Sequence, residues 1–239
     1  MVLIFIFCNF IRHWLSADVF QILPHRQCST LHAILFDTPK LFMSTGIDIE
    51  FVRQNYQKMS DEELVRVATQ DAAGLTPEAQ EVVKKEIQRR KLDSNIVKGV
   101  EAQNRSYTAE EVDKYCKIVQ KLNCPACQSS FQNLNATMTG EVISYIFLTQ
   151  YKKKIKIGCP DCLDKANNAA LTKSVTLGWW GIPWGIIKTI QSIILNLRSK
   201  KTNHSDAPNN YLRSFVLSKV GELETYKEDK EKMQQLISE

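Results

Sequence analysis

Four cysteines fall in two matched pairs: Cys124-Pro125-Ala126-Cys127 and Cys159-Pro160-Asp161-Cys162. Thiolates are soft ligands, and two cysteines spaced i, i+3 on a tight turn present two sulfurs to one point. Two such turns complete the tetrahedron that zinc prefers, so Cys124, Cys127, Cys159 and Cys162 are the candidate Zn2+ ligands. Each proline stiffens its turn. The amides that follow the first cysteine of a pair can point back at its sulfur and favour the thiolate. Iron accepts the same four-thiolate set. A redox dithiol needs a single C-x-x-C at a helix start within a βαβ unit, a context not read here, and disulfides require an exported chain.

No other residue set suggests chemistry. There is no Ser/His/Asp combination, no phosphate-binding glycine loop and no paired carboxylates in a cleft-like setting. His204 is the sole histidine beyond position 42, and it lies in a polar stretch. A non-enzymatic role is therefore expected. The net charge of +5 is mild and demands neither nucleic acid nor membrane. Cys8, Cys28 and Cys116 show no paired spacing, and Cys116 reads as a structural thiol in a helix. A reducing, cytoplasmic setting suits zinc-bound thiolates.

The elements that must position the cysteines give an α+β class: a helical N-terminal module, a small β-hairpin module and C-terminal helices. The first module spans 47–106. It begins with a helix from Ile47 to Met59. Ser60 and Glu63 form a capping box for a second helix ending near Gly74, and Thr76-Pro77 opens a third. Residues 92–106 read as a polar linker. A capping box at Thr108 and Glu111 then starts the helix that leads to the first cysteine pair, within a module spanning 107–168. Between the pairs, Val142–Leu148 and Tyr151–Ile157 read as strands. Leu134–Met138 reads as a further strand, with Thr139-Gly140 as a turn.

Two C-P-x-C knuckles with a hairpin between them resemble the zinc-ribbon, or rubredoxin-knuckle, superfamily over roughly forty residues. The resemblance implies a four-cysteine zinc site. It selects no function, because such modules serve as nucleic-acid readers, docking modules and structural staples.

Residues 169–201 contain Gly178-Trp179-Trp180-Gly181-Ile182-Pro183-Trp184-Gly185. This block after a knuckle is similar to blocks in uncharacterised bacterial zinc-ribbon proteins. Tryptophan favours the membrane–water boundary. A helix over 186–198 follows, with Ile186, Ile187, Ile190, Ile193, Ile194 and Leu197 on one face. Lys188, Gln191 and Pro183 oppose a full span. The segment is expected to lie in a membrane interface through Trp179, Trp180, Trp184 and the 186–198 helix. The competing expectations pack its isoleucines into the core or make the segment a protein-binding surface.

Residues 202–239 read as a linker and a solvated helical tail. Residues 1–42 are rich in phenylalanine and lack glycine and glutamate. They are expected to be an upstream extension before a native start at Met43, or else an uncleaved anchor or targeting segment, or ordinary structure. The functional expectation is a zinc-stabilised adaptor at the cytoplasmic membrane face, with a protein partner. The alternative is a soluble zinc ribbon that binds nucleic acid through Lys152, Lys153, Lys154 and Lys156, assisted by the Lys84–Lys91 helix end.

Overall fold

The computed structural model describes residues 48–238. The readings for 1–42, Met43 and Ile47 lie outside these residues. Among them are ten α-helices and one two-stranded antiparallel sheet, an α+β architecture.

The N-terminal helices follow their caps. α1 spans Ile49–Lys58, with Asp48 as N-cap. α2 spans Asp61–Arg66 behind the expected Ser60/Glu63 capping box. It continues through a π turn, Val67–Asp71, and a 3-10 turn, Ala72–Gly74. There the Gln103 side chain enters the opened ladder: its Nε2 donates to Ala68 O and its Oε1 accepts from Ala72 N. α3 spans Pro77–Arg89, with Thr76 as cap and Pro77 at the first position. Arg90, just past its end, donates to the last carbonyls of α1 at Tyr56, Gln57 and Met59. The expected linker over 92–106 is corrected. Asn95–Gln103 is a helix, α4, that buries Ile96, Val100 and Ala102. Leu64, Val83 and Ile87 complete this first apolar cluster.

α5, Ala109–Gln120, starts at the Thr108/Glu111 capping box and delivers the chain to the first knuckle. β1 is one strand, Asn135–Tyr145, paired with β2, Leu148–Gly158, from Asn135↔Gly158 to Tyr145↔Leu148. The expected turn at Thr139-Gly140 is corrected, since Gly140 lies opposite Lys153 in the strand interior. The glycine serves packing: a Cβ there would come within 2.9 Å of Leu195 and 3.2 Å of the Tyr151 ring. The chain reverses instead at Ile146-Phe147.

α6, Pro160–Leu177, and α7, Trp184–Lys200, form a second layer on the hairpin. The core-packing expectation is overturned for Ile186, Ile190, Ile194 and Leu197, which are exposed, while Ile187 and Ile193 are half-buried; the buried side of α7 is Gly185, Thr189, Ser192, Asn196 and Ser199. The reason lies in β1. A two-stranded sheet leaves each strand one free edge, whose buried backbone groups need partners. The helices supply them from side chains. Asn209 donates to Ala136 O at 2.6 Å and Asn167 to Met138 O at 3.4 Å. Ser192 and Asn196 donate to Gly140 O at 2.6 and 2.8 Å, and Asn196 Oδ1 accepts from Gly140 N at 3.3 Å. Ser174 Oγ accepts from Val142 N at 3.0 Å. A helix whose polar side covers a strand edge turns its isoleucines outward.

The C-terminal segment is also more than a solvated tail. α8 (Asn210–Ser218), α9 (Val220–Tyr226) and α10 (Lys230–Leu236) bury Leu212, Val216, Leu223, Met233 and Leu236 around Cys124 and Cys159. The supposed linker before α8 is stitched in: Asn203 is fully buried and donates to Asp164 and Asn167.

Candidate metal centre

The first knuckle follows α5 directly. Cys124 N donates to Ser129 O at 2.9 Å and Gln128 N to Cys124 O at 2.8 Å, which closes the turn. Gln128 occupies the left-handed region at φ 59°. α10 clamps the approach, since the Gln234 amide both accepts from Asn123 N and donates to Asn123 O. The second knuckle opens a helix, which sequence reasoning missed. Cys159 is the N-cap of α6, Pro160 its first residue, and Cys162 lies in its first turn. The N-terminal end of a helix favours negative charge on both sulfurs.

The hairpin joins the two turns in space. The four sulfurs lie within 4.8 Å of one another, and Cys127 Sγ is 3.7 Å from Cys159 Sγ. A tetrahedron of ~2.3 Å metal–sulfur bonds has edges of about 3.8 Å, so the donor set fits such an ion. Among the described residues no carboxylate or imidazole joins these four. All four are free thiols, as is buried Cys116, which burial pushes up to about 11.

Burial also raises the Cys124 thiol, but amides of Cys159, Cys127 and Ala126 aimed at its sulfur outweigh that and bring it down to about 7. The Cys159 amide lies 3.3 Å from the Cys124 sulfur. Burial, and then the neighbouring sulfurs, push Cys162 up to about 12 and Cys159 upward. Four thiolates so close repel one another, and a central divalent cation reverses that balance. The cluster is therefore a candidate four-cysteine metal site.

The other singled-out residues lie elsewhere. Trp179, Trp180 and Trp184 are exposed at the far end of the hairpin from the cysteines. Ile143–Leu148, Leu177 and Trp180 line one apolar hollow there. Lys152, Lys153, Lys154 and Lys156 are exposed along β2. No described helix is long and apolar enough to cross a membrane. His204 pairs with Asp164 at 3.2 Å on the surface. Comparison of the chain with protein-family models, with curated proteins and with solved structures finds no match in any of the three.

Proposed function

We propose that this protein is a non-enzymatic, zinc-stapled adaptor that sits on a membrane surface and carries a protein partner on its helices. The observation that carries the reading is the reversed polarity of the α6–α7 layer. Asn167, Ser174, Thr189, Ser192, Asn196 and Ser199 are buried in it beside Leu163 and Ala170, while Ile186, Ile190, Ile194, Leu197 and the three tryptophans are exposed. Small and polar residues between elements with apolar residues outside suit a lipid environment. Tryptophans at the rim suit its boundary. No described helix is long and apolar enough to cross a membrane, and an interfacial mode is one that requires none.

Zinc is the metal this donor set suits best. Four thiolates with no further ligand fit a structural, closed site. Cys124, Cys127, Cys159 and Cys162 would hold the ion, which would tie α5 to the start of α6.

The nucleic-acid alternative retains the exposed β2 lysines, while three cations of its second contact are engaged by carboxylates. Lys84 pairs with Glu81 and Glu101, and Arg89 and Arg90 pair with Glu86. Fractionation with metal analysis tests the proposal. The expected result is membrane-bound protein with one zinc per chain, released by Trp179→Ala, Trp180→Ala and Trp184→Ala together. Metal-free folded protein would overturn the zinc assignment. Monodisperse soluble protein would overturn the membrane role.

A further inference from the structure

Two uncharged segments, 142–151 and 174–187, meet at the end of the molecule opposite the cysteines. Together they contain no Asp, Glu, Lys or Arg. Tyr145, Ile146, Phe147 and Leu148 form the hairpin tip, and Phe147 is 99% exposed. Trp180 and Ile182 stand beside them, also exposed.

Charge begins abruptly behind this cap, and nearly all of it is positive. Lys152 faces Glu141 across the hairpin, and Lys173 of α6 pairs with the same Glu141 at 2.7 Å. Lys153 and Lys188 of α7 both approach the Tyr151 ring, at 5.3 and 5.8 Å from its centroid. Lys154 follows on β2. These contacts put four lysines and one carboxylate at the same level, on strand and helices alike, with Lys154 next behind them.

We infer that the surface this molecule selects is an anionic lipid leaflet, entered hairpin tip first to a depth set by this lysine collar. The inference rests on the membrane reading above. Lys152 lies four positions along β2 from Leu148, about 13 Å of strand. That is less than half of a hydrocarbon core of about 30 Å, so the cap fits within one leaflet. The collar then lies at the headgroups, where lysine stems can follow apolar surface and place their ammonium groups among phosphates. Ile190, Ile194 and Leu197 continue the apolar surface along α7, so the molecule tilts towards that helix.

The test is co-sedimentation of the full chain with vesicles of phosphatidylcholine alone, and of phosphatidylcholine with about 30% phosphatidylglycerol, at low and high salt. The expected result is tighter binding to the anionic vesicles, with the preference weakened by salt. Each lysine near the surface should contribute about fivefold. Lys153→Gln with Lys188→Gln should therefore lose about 25-fold on anionic vesicles and leave neutral binding unchanged. Phe147→Ser and Trp180→Ser, at exposed positions that leave the fold intact, should weaken both. Equal affinity for the two vesicles, or a preference that survives the lysine variants, overturns the collar and leaves the membrane reading standing. Binding to neither vesicle overturns both. A soluble dimer that buries the tip also overturns both, and vesicle binding indifferent to Phe147 and Trp180 overturns tip-first entry alone.

Discussion

Asn196→Ala tests whether the polar side of α7 faces the hairpin. Asn196 is 1% exposed. Its Nδ2 donates to Gly140 O and Ser192 O at 2.8 and 2.9 Å, and its Oδ1 accepts from Gly140 N and Asn167 Nδ2 at 3.3 Å each. Alanine leaves the buried Gly140 amide with no side-chain acceptor on that edge. Asn167 Nδ2 keeps only its 3.4 Å bond to Met138 O. An orphaned buried donor costs about 1–3 kcal/mol, and a lost ordinary bond about 1 kcal/mol. Alanine returns about 0.5 kcal/mol through helix propensity. The expected loss is about 3 kcal/mol in urea unfolding followed by circular dichroism with zinc present. Ile194→Ala, at an exposed position, should change stability by no more than about 0.5 kcal/mol. An isoleucine-inward helix predicts the reverse order. A neutral or stabilising Asn196→Ala, or an Ile194→Ala that costs more, would refute the edge-covering role.

Three further outcomes are expected. The Arg89 guanidinium, assisted by Arg90, holds the Glu86 carboxyl at about 2 against the opposing effect of burial. Because this is below its ordinary 4.5, the stabilisation is full above pH 4.5 and is lost as pH falls through about 2. Glu86→Gln should cost about 2 kcal/mol at pH 7, discounted because Arg89 is solvent-exposed, and less than half of that at pH 3 in paired denaturation curves. Gln128→Gly should raise stability by about 0.5–1 kcal/mol, since the left-handed backbone there suits glycine; a loss in thermal unfolding would count against the turn geometry. Gly221→Ala should cost more than about 1.5 kcal/mol, because its methyl would run into Thr69 O and the Gln103 side chain where α9 crosses α4; an unchanged melting temperature would contradict that crossing.

The local signals were legible because they are short-range chemistry. Ser60/Glu63, Thr76-Pro77 and Thr108/Glu111 place helix starts through hydrogen bonds three residues long, and the cysteine spacing marks a metal cluster unaided. What escaped depends on distant partners. Thr139-Gly140 looks like a turn until Leu195 is known to press on it. α4 looks like a linker because Gly99 and its polar neighbours mask Ile96 and Val100, and what holds it is α9, more than a hundred residues later. The orientation of α7 was hidden most deeply. Periodicity identifies two faces of a helix, but the free edge of β1 decides which one turns inward.

The clamp of Gln234 on Asn123 has a consequence for synthesis. The four cysteines leave the ribosome with Cys162, but Met233, Gln234 and Leu236, which close around the first knuckle, follow about seventy residues later. At roughly 5–20 residues per second, that interval lasts about 4–14 s. During it the thiols have their hairpin and the start of α6 but not their roof. If the cluster takes a metal, capture would thus precede completion of the core, at an open set of thiols that the last helix then covers.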